Sequence, residues 1–205
     1  MKEIITYLIE TYHPLAILVY GSYADGSNNA NSDFDALVIS RDHPQHHDVS
    51  FAGGIQLDIF VYPRSFFLGD INHENFLQLF DSQVVFDTEG LGQGLKDQVL
   101  DYLSNLPRKS ANEIEANIAW CRKMLLRAAR GDAEGMFRWH WLLTDSLEVF
   151  CDAVGQFYFG PKKSLKWMAK EHPAAYERYA KALFSLDYQA AREWVECLEA
   201  LQPKS

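Results

Sequence analysis

Asp33-Phe34-Asp35 places two aspartates one residue apart at the start of a short, apolar, β-prone run that continues to Ile39. On a strand, residues two apart project to the same side. Asp33 and Asp35 therefore stand together, while Phe34, Ala36 and Val38 turn to the opposite face. Carboxylates this close repel each other unless a cation sits between them. Oxygen donors suit hard divalent ions, Mg²⁺ first and Mn²⁺ as its substitute. A fold that keeps the pair has to bury one face of this strand and give the other a counter-charge.

The run Leu15 to Tyr20 reads as a buried strand, and Gly21-Ser22 ends it. Glycine permits a sharp turn and leaves no side chain between backbone and ligand. Ser22 to Asp25 can form one helical turn, whose leading N–H groups would favour an anion. Further on, His47 to Ala52 and Ile55 to Tyr62 form a hairpin joined at Gly53-Gly54. In its second arm Gln56, Asp58 and Phe60 share one face, opposite Ile55, Leu57, Ile59 and Val61. Asp58 is a charge within an apolar strand, so it needs a partner or a metal.

Gly21-Ser22, then Asp33-Phe34-Asp35, then Asp58 resembles the signature of the polymerase-β-like nucleotidyltransferase superfamily. The resemblance covers roughly the first 90 residues. It implies a small mixed sheet backed by helices, with Asp33, Asp35 and Asp58 as metal ligands and catalytic acids. It also implies transfer of a nucleoside monophosphate from an NTP, ATP foremost, to a hydroxyl. On that reading Asp58 ligates metal or accepts the hydroxyl proton. Gly21 and Ser22 hold the nucleotide's phosphates, and Ser32 orients the loop before Asp33. Asp25 stands near the position at which many small members carry an arginine.

Residues 91–205 change pattern to helices throughout, so the expected fold is α+β: a catalytic domain over 1–90 followed by a helical bundle. Helices are expected over 3–12, 73–80, 95–106, 110–130, 133–157, 162–170, 173–184 and 188–201. Gly90 to Gly94 reads as a hinge, and Arg41 to His47 as a polar connection. The tail resembles the helical bundle that follows the catalytic module in kanamycin- and lincosamide-type transferases, which suggests an aminoglycoside or lincosamide as acceptor. Within it Asp145, Glu148 and Asp152 line one helix face and Lys162, Lys163 and Lys166 cluster beside Pro161. Asp145 or Glu148 is a candidate general base, and Lys163 a candidate nucleotide ligand.

A formal net charge of −9 argues against general nucleic-acid binding and permits a cationic acceptor. Cys121, Cys151 and Cys197 are too dispersed for a disulfide framework or zinc spacing and read as reduced. The amphipathic start is unlike a signal peptide, and no apolar run reaches membrane-spanning length, so the cytoplasm is the expected compartment. Two alternatives to a small-molecule transferase stand beside it. One is a protein-directed nucleotidyltransferase or antitoxin of a toxin–antitoxin pair, with a protein partner. The other is a non-catalytic nucleotide-binding module of the same fold.

Overall fold

The computed structural model describes residues 1–201, which divide into two compact units, one of residues 1–106 and one from residue 107 onward. The first opens with α1 (Lys2–Tyr12), whose Ile4, Leu8 and Tyr12 fall at helical spacing on one buried face. Pro14 cannot continue a helix and instead begins β1 (Pro14–Val19), buried along its whole length. The single turn α2 (Gly21–Asp25) follows, then β2 (Phe34–Ser40), β3 (His46–Asp48), β4 (Phe51–Ala52) and β5 (Ile55–Pro63). Two 3-10 segments, Arg64–Leu68 and His73–Asp81, lead to β6 (Gln83–Asp87) and α3 (Leu91–Asn105).

The strands form one mixed sheet in the order β3-β5-β2-β1-β6, with β4 paired to β5. β2 and β5 run parallel; the other pairs are antiparallel. Gly53 and Gly54, at φ 58° and 78°, make the two-residue link that sets Ala52 opposite Ile55. Both positions need positive φ, as a tight hairpin of this type demands. One sheet face carries Ile17, Val19, Phe34, Ala36, Val38, Leu57, Ile59 and Val61, and these form a single core with Ile4, Leu8 and Tyr12 of α1. The period-two alternation thereby sends Asp35, Asp58 and Phe60 to the opposite face.

Three local expectations change. His46 lies on β3, not in a polar connection, because it pairs with Val61 of β5; His47, expected to open the first arm of the hairpin, pairs there with Phe60. Gly92 and Gly94 are inside α3 and not in a hinge. At Gly92 the absence of a side chain is what lets the helix approach the sheet: a Cβ there would sit 2.9 Å from that of Ala16. His73–Asp81 winds as a 3-10 helix, started by Asn72, whose side chain accepts the Glu74 N–H at 3.0 Å.

The second unit consists of α4 (Ala111–Ala128), α5 (Ala133–Ala153), α6 (Gly160–Glu171), α7 (Pro173–Ser185) and α8 (Tyr188–Glu199). Ser110 and Glu113 form a reciprocal capping box at the start of α4. Asp132 caps α5 by accepting the Gly135 N–H at 2.8 Å. The core is built from Ile118, Leu142, Leu147, Phe150, Trp194 and Leu198 among others. Two of its buried polar groups are paired within it: Trp194 Nε1 donates to Ser146 Oγ at 2.8 Å, and the Tyr179 hydroxyl donates to the Leu143 carbonyl at 2.6 Å. Cys121, Cys151 and Cys197 are free thiols, the first two buried. No helix among the described residues is long and apolar enough to cross a membrane.

Candidate active site

Asp35 and Asp58 are direct neighbours across the parallel pair β2/β5. Asp33 stands just before β2, on the same side as Asp35 by the two-residue period. One carboxylate oxygen from each of Asp33, Asp35 and Asp58 can be chosen so that all three lie within 4.8 Å of one another. Asp33 is exposed and the other two are half-buried. Like charges opposite each other on adjoining strands are destabilising. The trio is therefore poised for a cation, and three oxygen donors with no thiolate fit Mg²⁺ or Mn²⁺.

The backbone before the pair is shaped around Asp35. Gly21 has φ 64°, and a Cβ there would overlap the Asp35 carboxylate, whose Cγ lies 2.9 Å from that position. The Tyr20 N–H donates to the Asp35 carbonyl at 3.1 Å, fastening the turn to β2. Ser22 is buried on α2, and its carbonyl accepts the Asn28 N–H at 3.1 Å. Asp25 accepts the Ser27 N–H at 2.9 Å, so it closes the turn after α2. The loop into β2 is held by its own side chains: Ser32 Oγ accepts the Asn29 N–H, and Asn29 Oδ1 accepts the Asn31 N–H, each at 2.9 Å.

Two residues beside the acids are not evident from motif spacing. Tyr20 is buried with its hydroxyl pushed above the ordinary tyrosine range, first by burial and then by the charges of Asp58 and Asp35; a hydrogen bond with Gln78 acts the other way. It stays protonated near neutrality and can donate a hydrogen bond. His47 Nε2 lies 2.5 Å from Asp58 Oδ1, and its ring stacks on Phe60 with centroids 4.3 Å apart and planes within 4°. Period two could have suggested Tyr20, since it alternates with Val19. His47 required the β3/β5 register. Next to Asp33 a cleft of about 270 Å³ opens between the Asn31–Ser32 loop and the β4/β5 turn, with Phe51 and Gln56 on its far wall.

In the second unit, Asp145 accepts from Trp141 Nε1 at 2.6 Å, and Lys109 pairs with Glu148 at 3.4 Å and Asp152 at 2.6 Å. Asp145 and Glu148 line a groove of about 330 Å³ together with Lys109, Asn117, Trp120 and Trp141. Lys163 is half-buried in the first turn of α6.

Residues 1–89 match the nucleotidyltransferase domain family. No curated protein matches the chain. Among solved structures, a nucleotidyltransferase-like protein from Exiguobacterium sibiricum 255-15 is 14% identical, with a TM-score of 0.45; the match covers 98% of this chain and 73% of that one. A toxin–antitoxin structure with AMP-PNP is 16% identical at a TM-score of 0.34, covering 58% of this chain and 94% of that one. Residues 1–89, which carry the Gly21-Ser22 turn and the three converging aspartates, are a nucleotidyltransferase domain of the polymerase-β-like superfamily.

Proposed function

We propose that the chain transfers a nucleoside monophosphate from an NTP, ATP foremost, to a hydroxyl of a small cationic organic acceptor of the aminoglycoside or lincosamide kind. The observation that carries this reading is the convergence of Asp33, Asp35 and Asp58 to within 4.8 Å beside a turn whose glycine admits no side chain. Asp33, Asp35 and Asp58 would hold Mg²⁺ or Mn²⁺. When bound, the metal supplies positive charge against the oxygens of the reacting phosphate. Gly21 and Ser22 are assigned to the triphosphate, Ser32 to holding the loop ahead of Asp33, and Lys163 to a phosphate of the nucleotide. The acceptor oxygen forms a bond to the α-phosphorus, the bond from the α-phosphorus to the bridging α–β oxygen breaks, and pyrophosphate leaves. Asp58 takes the hydroxyl proton. Tyr20, protonated at neutral pH, can donate to an oxygen on this face.

Support for a cationic acceptor comes from charge and from the second unit. The net charge is −9, and the groove of Trp120 and Trp141 carries Asp145 and Glu148 against the single cation Lys109. Indole faces and carboxylates together favour an ammonium-bearing ligand. A protein acceptor is the second reading. Its support is the apolar tip joining α7 and α8, where Phe184 is 88% and Leu186 56% exposed. The cytoplasm, where ATP is supplied, is the proposed compartment.

The test is pyrophosphate release from ATP with Mg²⁺ across a panel of hydroxyl-bearing amines, followed by mass spectrometry for a nucleoside-monophosphate adduct on acceptor or on co-purified protein. Asp33→Asn should lower turnover by at least about 100-fold, and Lys163→Ala should raise the KM for ATP. Folded native chain that binds ATP and Mg²⁺ but forms no adduct on any acceptor would convert the reading to a nucleotide-binding module.

A further inference from the structure

Asp58 is flanked on its β2 side by Asp35, a like charge that pushes its carboxylate away. What holds it is on the other flank. β3 pairs antiparallel with β5 so that His47 stands opposite Phe60 and diagonal to Asp58 on the same face. The imidazole lies flat on the Phe60 ring, 4.3 Å between centroids, and its Nε2 reaches Asp58 Oδ1 at 2.5 Å. An aspartate oxygen here has only acceptor capacity when ionised, so Nε2 carries the proton and donates.

The strand that supplies this histidine is short and lies at the sheet edge, yet it is pinned from behind. His46 and Asp48 alternate to the α1 side. There the Tyr12 hydroxyl donates to Asp48 Oδ2 at 2.5 Å, the Ser50 N–H donates to Asp48 Oδ1 at 2.8 Å, and the Tyr12 ring packs 5.5 Å from that of His46. With His46 and Asp48 fixed to one face, the strand period leaves His47 no other direction than the acidic face.

We infer that His47 is a positioning residue for Asp58: its Nε2–H holds one carboxylate oxygen and leaves the other free for a cation or for the acceptor's proton. This rests on the nucleotidyl-transfer reading. A carboxylate fixed in this way loses no rotamer freedom when the cation arrives, and hydrogen-bonded partners of ligating carboxylates affect metal affinity by about 10- to 100-fold. Phe60 contributes by limiting the ring to one plane.

The experiment is Mn²⁺ titration of the full chain without nucleotide, followed by the electron paramagnetic resonance signal of free Mn²⁺, on the native protein, His47→Ala and His47→Gln. His47→Ala should bind about 10-fold more weakly or worse, with unchanged circular dichroism. His47→Gln, whose amide N–H can occupy the place of Nε2–H, should recover most of that loss. A structural role alone would not give selective rescue by glutamine. Should His47→Ala fail to fold, the imidazole ¹⁵N spectrum decides: Asp58→Asn should shift the His47 Nε2 signal. Native Mn²⁺ uptake with equal uptake by His47→Ala, no rescue by glutamine, or an unmoved His47 signal each overturns the assignment of His47 alone. A native chain that takes up no Mn²⁺ overturns the metal site itself, and the transferase reading with it.

Discussion

Gly21 meets two demands at one position, a positive φ and the near approach of the Asp35 carboxylate. Gly21→Ala would place an L-residue at φ 64°, which costs roughly 1–2 kcal/mol, and would also drive Asp35 aside. The expected outcome is a modest fall in melting temperature with a disproportionate loss, at least about 10-fold, of Mn²⁺ affinity; a calorimetric titration beside a thermal melt separates the two. Cys121 makes a second test at this scale. Burial, and secondarily the charge of Asp145, pushes its thiol up to about 12. In native protein at pH 8, iodoacetamide should label the half-buried Cys197 and leave Cys121 until denaturant is added, as read by peptide mapping. Native labelling of Cys121 at the rate of Cys197 would contradict the packing of α4. The acids Asp33, Asp35 and Asp58 were legible in the sequence because period two and apolar neighbours fix their faces. His47 was not, because its partner is set by which residue of β5 lies across from it, and three histidines within five residues give no hint of that register.

β3 shows how a three-residue strand is kept in place. The Asp48 carboxyl is held below its ordinary value: burial acts to raise it, but hydrogen bonds from Tyr12 and Ser50 and the nearby His46 overcome this. The folded chain therefore takes up this proton less readily than the unfolded one. The stabilisation is present above the ordinary carboxylate value, about 4, and is lost as pH falls through the lower folded value. Asp48→Asn should cost about 0.5–1 kcal/mol at pH 7, below the roughly 1.5–3 kcal/mol of a buried charged hydrogen bond because the pair is partly open to water. The deficit should shrink toward pH 3. Urea unfolding of both proteins at the two pH values measures it, and an equal deficit at both would mean that Asp48 is not the group responsible. The elements themselves were largely readable from apolar spacing and from breakers such as Pro14 and Gly53-Gly54. Gly90 to Gly94 misled because glycine has two uses. Gly90 is a turn residue at φ 72°, whereas Gly92 is a contact surface inside α3.

For the molecule as a whole, the change in sequence pattern and the change in packing fall at different places. Helical periodicity takes over near residue 91, but α3 packs on β1, β6 and the His73–Asp81 segment, so the first compact unit runs to Leu106. Leu95, Val99 and Leu103 are buried by that packing, and Ala16 and Leu18 on the sheet lie under Gly92. Burying a leucine or valine side chain contributes about 1.5–3 kcal/mol, so three of them approach the whole stability of a small domain, about 5–15 kcal/mol. A fragment of residues 1–106 should therefore melt cooperatively and give a dispersed amide spectrum. A fragment of residues 1–90, cut where the sequence pattern changes, should not. The longer fragment contains Asp33, Asp35, Asp58 and His47, and so should also keep the Mn²⁺ affinity of the full chain. Cooperative melting of the shorter fragment at the temperature of the longer one would show that α3 contributes no support to the sheet. Loss of Mn²⁺ affinity in a folded 1–106 fragment would show that the acidic trio needs residues beyond Leu106 to hold its geometry.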